Sequence, residues 1–128
     1  MVTNKVVVQL KDKSVIKGKT NNFFPNKNSF HLELVNGEKT EIQIEGLKAI
    51  FFVKSFEGNN QRQDSYDDKV AGGGRKIKVK FKDGETIIGY TTGYSPERFG
   101  FYLMPADLKG NNERIFIVKS ATETIEML

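Results

Sequence analysis

Along residues 76–82, "KIKVKFK", apolar and basic residues alternate without a break: Ile77, Val79 and Phe81 fall on one side, and Lys76, Lys78, Lys80 and Lys82 on the other. A period of two belongs to a strand with one buried face. Val6, Val8 and Leu10 write the same pattern near the start of the chain. Short runs of strand character follow each of these segments. They are "SVIKGKTN", "SFHLELV", "TEIQIEG" and "KAIFFV" in the first stretch, and "ETIIGYTT", "GFYLMPA", "ERIFIVK" and "ETIEML" in the second. No segment repeats at helical spacing, so the pattern predicts five short strands, twice. Lys82-Asp83-Gly84 predicts a tight hairpin, because glycine supplies the positive φ that such turns need. Lys13 stands at the matching place in the first stretch, which predicts a turn of another type or some strain. Gly18 and Gly89 interrupt the second strand of each stretch and predict a bend, as at the corner of a small barrel.

The two stretches are copies. At an offset of 71, ten of 28 aligned positions are identical, among them Asp12/Asp83, Gly18/Gly89, Thr20/Thr91, Pro25/Pro96, Phe30/Phe101 and Leu32/Leu103. A gapless register of this kind points to internal duplication. After Leu32 the register is expected to slip by two, with Ile42 and Ile44 answering Ile115 and Ile117, because the turn at "DLKGNNER" is longer. The expectation is an all-β protein of two tandem five-stranded SH3/Sm-like barrels, residues 1–56 and 75–128, joined by a polar Gly-, Asn- and Asp-rich linker at 57–74. "AGGGRK" at the end of that linker lacks the Lys-Ser/Thr of a phosphate-binding loop.

"VKFKDGETIIGY" resembles the first motif of Sm-like proteins: two apolar positions, Lys-Asp-Gly, then an apolar residue one place before a glycine. That resemblance implies the barrel. The Asp and Met-Asn pair of RNA-binding Sm proteins do not follow Gly18 or Gly89, so it does not imply their RNA pocket. Across Phe81 to Val118 the chain is similar to a group of uncharacterised bacterial small-barrel domains with the hallmarks "FKDGE", "SPERFGFYLMPAD" and "NNERIFIV". That likeness carries no activity with it. Small-barrel receptors for cyclic dinucleotides hold their ligand with an Arg-x-x-x-Arg pair, whereas Arg62, Arg75, Arg98 and Arg114 offer no such spacing.

Composition narrows the chemistry. There is no cysteine, which removes disulfides, thiolate metal sites and cysteine nucleophiles and makes the cytoplasm the expected location. The run Val6–Val8 is too short for a signal-peptide core, and no apolar stretch is long enough to span a bilayer, so neither export nor a membrane partner is expected. His31, the single histidine, alternates with Phe30 and Leu32 and belongs on an outer strand face, without a second histidine to share catalysis or a metal. "DSYDDK" lacks the spacing of a calcium loop. The chain is expected not to be an enzyme and to carry no cofactor.

What remains is surface. The expected function is a binding module for a protein partner in bacterial regulation, with contacts from Tyr94, Arg98, Phe99 and Asn112 in the loops "GYSPERFGF" and "DLKGNNER". The alternative is a nucleic-acid binder that uses the row Lys76, Lys78, Lys80 and Lys82, with neighbouring aromatic residues to stack on bases. A net charge of +4 is modest for that role.

Overall fold

Each alternating run forms a strand whose apolar side chains face inward. The computed structural model describes residues 3–24, 27–54, 74–91, 99–106 and 112–128. The first half contains β1 (Asn4–Leu10), β2 (Val15–Thr20), β3 (Ser29–Leu34), β4 (Lys39–Gln43) and β5 (Leu47–Val53). The second contains β6 (Arg75–Phe81), β7 (Thr86–Thr91), β8 (Gly100–Pro105), β9 (Asn112–Val118) and β10 (Thr122–Met127). A 3₁₀ turn links β4 to β5 at Ile44–Gly46, and another links β9 to β10 at Lys119–Ala121. The expected linker lies outside the described residues except for Gly74.

The all-β expectation holds, but the architecture is not two separate closed barrels. All ten strands form one open antiparallel sheet in the order β10-β6-β7-β8-β9-β5-β1-β2-β3-β4. Within each half the order is the same, fifth-first-second-third-fourth. The halves meet where β5 pairs with β9, with Ala49 opposite Ile117, Ile50 opposite Phe116 and Phe51 opposite Ile115. The reason is visible in the side chains of these two strands. A strand with one polar face can close a barrel against solvent; "AIFFV" and "RIFIV" have apolar residues on both faces and need cover on both. Ile50, Phe52, Phe116 and Val118 enter the core of the first half, around Val6, Val8 and Leu32. Ala49, Phe51, Ile115 and Ile117 join the second, around Ile77, Val79, Phe81 and Leu103. Each seam strand therefore helps to wall both cores.

The register corrects the expected alignment of the halves. Phe30 pairs with Ile42 and Phe101 with Ile117, so Ile42 corresponds to Ile117 and the offset after the third strand is 75 rather than 73. The two 3₁₀ turns, Ile44–Gly46 and Lys119–Ala121, obey the same offset.

Both first hairpins make one and the same turn. The amide of Leu10 donates to Ser14 O and that of Lys13 to Leu10 O; Phe81 donates to Glu85 O and Gly84 to Phe81 O. The position before the last turn residue is left-handed in both, with φ 96° at Gly84 and 74° at Lys13. Lys13 therefore adopts the strained member of the two expected alternatives. Asp12 and Asp83 recur because each carboxylate accepts the amide two residues on, from Ser14 at 2.9 Å and Glu85 at 3.0 Å. Gly18 and Gly89 serve a different need. A Cβ on Gly18 would press on the Glu33 carbonyl and lie 2.8 Å from Leu32 Cγ, and one on Gly89 would press on the Met104 carbonyl and lie 2.8 Å from Leu103 Cγ. The third strand of each half crosses the second closely at these points.

Two stability changes follow from this geometry. Lys13→Gly removes the left-handed penalty and is expected to stabilise the protein by about 1 kcal/mol in chemical denaturation, within the ~1–2 kcal/mol that this conformation costs an L-residue. Gly89→Val, by contrast, must push β8 away and is expected to cost about 1–3 kcal/mol; an unchanged denaturation midpoint would refute the close crossing.

Candidate binding cleft at the seam

The seam is more than strand pairing. Lys48, on β5, has only 5% of its side chain exposed, and its ammonium lies 2.7 Å from Asp83 Oδ2, beside Glu85 Oε1 and 4.7 Å above the centre of the Phe81 ring. All three contacts belong to the second half, so a first-half cation is locked into the β6–β7 hairpin. The Lys48 hydrogen bond, followed by the Glu85 amide, holds the Asp83 carboxyl below its ordinary value of 3.8. At the other end of the seam, the Arg114 guanidinium sits 4.0 Å from the centre of the Phe52 ring. Phe23 stacks on Phe30 at 5.2 Å and meets Phe116 edge-on at 5.0 Å, and Tyr102 also packs edge-on against Phe116. Burial raises the Tyr102 hydroxyl pKa, against the opposing pull of Arg114.

Where the two 3₁₀ turns approach each other the surface opens into a cleft of about 490 Å³. Asn28, Gln43, Ile44 and Glu45 line it from the first half, and Phe99, Val118, Lys119 and Ser120 from the second. These are four corresponding pairs: 28/99 by the offset of 71, and 43/118, 44/119 and 45/120 by the offset of 75. The walls are held alike, since the Ile44 amide donates to Asn28 O and the Lys119 amide to Phe99 O, both at 2.9 Å. Buried Ile44 and Val118 give the cleft an apolar floor, while Phe99, 50% exposed, offers an aromatic wall. Asn28, Gln43, Glu45 and Ser120 are exposed and Lys119 is half-buried, which makes the rim polar. Such a site accepts an apolar or aromatic group and orients it by hydrogen bonds and one charge of each sign.

The expected partner residues divide. Phe99 lines the cleft. Tyr94 and Arg98 lie outside the described residues, and of Asn112 only the backbone is described. Asn112 opens β9 opposite Val53, whereas Phe99 precedes β8 beside Val118, so the structure puts them at opposite ends of the β8–β9 hairpin. The loops "GYSPERFGF" and "DLKGNNER" therefore leave β8 from different ends.

The lysine row is flanked by acids. Lys78 stands opposite Glu126 on β10, and Lys80 Nζ lies 3.5 Å from Glu123 Oε2. Lys76 faces Tyr90 on β7, and Lys82 is exposed in the turn. His31 is on the outer face: Asn22 Nδ2 lies 3.0 Å from its Nδ1, and Glu41 Oε2 lies 4.0 Å from its Nε2. It borders a polar hollow of about 510 Å³ lined also by Lys19, Glu33 and Lys39, where Glu33 on β3 stands in register with Lys19 on β2 and Lys39 on β4. Among the described residues, no group of three or more His, Cys, Asp or Glu side chains could hold a metal ion, and no helix is long and apolar enough to cross a membrane.

Of the residues that line the cleft, Phe99 alone is among the contact residues expected from the sequence. The signal was present in the likeness of the two halves, but the offset of 73 hid the correspondence of Gln43, Ile44 and Glu45 with Val118, Lys119 and Ser120. Lys48 was also missed, although a lone lysine within "LKAIFFV" needs a buried acidic partner.

Fold and site together define an all-β protein built from two five-stranded halves on one sheet, with a cleft where the halves meet. The chain belongs to the family described as "Family of unknown function (DUF6982)", whose model matches residues 2–128. Neither a curated protein nor a solved structure matches it.

The lock has a testable signature. A carboxyl with a lowered folded pKa favours the folded state above its ordinary value, and that contribution is lost as the pH falls through the lowered one. Stability should therefore drop as the pH falls below about 3.8, and Asp83→Asn should remove part of that acid dependence. At neutral pH, Asp83→Asn/Glu85→Gln is expected to cost more than Lys48→Met. The first strands a buried ammonium, while the second leaves an apolar stem and partly exposed carboxylates. Urea denaturation of the variants across pH checks both orderings.

Proposed function

We propose that this protein is a non-catalytic binding module that docks a protein partner at the seam cleft, in cytoplasmic regulation or signalling in bacteria. On this reading its halves arose by duplication of one small unit of the SH3 or Sm kind. The cleft carries the proposal. It combines an exposed aromatic residue, a buried apolar floor and a polar rim, the composition that anchors a protein side chain and excludes water around it. The lysine row supports the competing nucleic-acid reading less well. Glu123 and Glu126 lie beside Lys80 and Lys78, and a phosphate backbone approaching these lysines would meet both carboxylates.

Capture of partners from lysate, with and without nuclease, separates the readings when done on three proteins. The wild type is expected to retain a protein partner after nuclease treatment, Lys78→Glu/Lys80→Glu to retain it as well, and Phe99→Ala to lose it. Fluorescence anisotropy with single-stranded oligonucleotides is expected to show nothing tighter than the roughly 10⁻⁴ to 10⁻⁶ M of non-specific attraction. Submicromolar, salt-sensitive oligonucleotide binding that the lysine variant abolishes would replace the proposal with the nucleic-acid reading.

A further inference from the structure

The β5–β9 seam is a head-to-tail joint: the fifth strand of one half pairs with the fourth strand of the other. A joint of this kind can repeat, because the corresponding strands, β10 and β4, end the sheet. Pairing β10 of one copy with β4 of the next would build a ring or a filament. We infer that the side chains of these two terminal strands forbid that step, so that the joint is made once, within the chain, and a second copy is refused.

The correspondence predicts the register of the refused contact. Ile42 would lie opposite Thr124, Glu41 opposite Ile125, and Thr40 opposite Glu126. Ile42 and Ile125 keep the apolar character of Ile117 and Ile50, but the other features that make the seam are reversed there. Glu123 occupies the place of Lys48, and its target in the next copy would be the hairpin of Asp12 and Ser14, which correspond to Asp83 and Glu85. Where the seam sets an ammonium between two carboxylates, the intermolecular contact sets a carboxylate against a carboxylate. Thr124 and Glu126 replace Ala49 and Phe51, which enter the second core. Glu41 and Gln43 replace Phe116 and Val118, which enter the first. A copy docked in this register would bury two glutamates in apolar surroundings, where an unpaired charge is strongly disfavoured. The exposed faces agree, since Glu41, Gln43, Glu123, Thr124 and Glu126 are all open to solvent. Charged terminal strands are a general protection against edge pairing. Here the protection is aimed at one competitor, the chain's own joint.

The inference is tested by restoring the joint in two halves. A donor variant carries Glu123→Lys, Thr124→Ala and Glu126→Phe; an acceptor variant carries Ser14→Glu, Glu41→Phe and Gln43→Val. Sedimentation velocity and native mass spectrometry are expected to give a single-chain mass for the wild type and for each variant alone, and a doubled mass for their equimolar mixture. Circular dichroism reports whether each variant is folded. A mixture of folded variants that keeps the single-chain mass overturns the inference. The wild type tests it independently, even if a variant fails to fold. Concentration-dependent association that Glu126→Pro abolishes would show the edges already joining and would also overturn it. A wild-type mass that stays constant with concentration, or an association that Glu126→Pro leaves intact, supports it.

Discussion

The pairing of β5 with β9 is the constraint on which the rest depends. Burial supplies most of its strength. Ile50, Ile115, Phe116, Ile117 and Val118 are each nearly or wholly inaccessible, and burying a side chain of that size contributes about 1.5–3 kcal/mol. The Lys48 lock has another role. A buried ion pair returns little net stability after desolvation, but it is directional, and an ammonium that must reach Asp83 and Glu85 fixes which hairpin β5 runs beside. Apolar area holds the halves together, and the charge sets how they are placed.

That placement creates the cleft. Neither half forms it alone, because each supplies one 3₁₀ turn and the residue hydrogen-bonded to it. The four corresponding pairs are Asn/Phe, Gln/Val, Ile/Lys and Glu/Ser, so a cleft framed by matching backbone is chemically one-sided. The second half gives the aromatic wall and the cation; the first gives the carboxylate and both side-chain amides. A ligand would therefore bind in one orientation, which a symmetric cleft could not impose.

Much of the fold was legible because strands with one wet face announce themselves. The alternation in "KIKVKFK" placed Ile77, Val79 and Phe81 inside, and the paired glycines marked real constraints, the close crossing of the third strand over the second. The joining of the halves was not legible, for a physical reason. "AIFFV" and "RIFIV" break the alternation because both their faces are buried, but a short apolar run looks the same whether it completes a barrel or walls two cores. Comparing the halves would have separated these cases. "TETIEM", which stands in the second half where "LKAIFFV" stands in the first, is polar at positions where β5 is apolar, and the strand without a polar face is the one that needs a second neighbour. Of the site, an exposed Phe99 could be read from its loop context, while the cleft around it required the relative position of the halves.

Two halves with one strand order face a problem that a single five-stranded unit does not. They present the same edges, yet inside one chain one half's fifth strand must be buried on both faces while the other's must stay at the end of the sheet. The same holds for the fourth strands. Identical sequences cannot meet both demands, since apolar residues suited to the seam would leave β4 and β10 adhesive, and polar ones suited to the ends would dissolve the seam. Difference between the halves is thus required by the architecture, and it is concentrated in the strands that must differ. Lys48 against Glu123, Phe51 against Glu126 and Phe116 against Glu41 differ in charge or polarity. Val6/Ile77, Val8/Val79, Phe30/Phe101 and Leu32/Leu103, which each half uses in the same way, remain apolar in both.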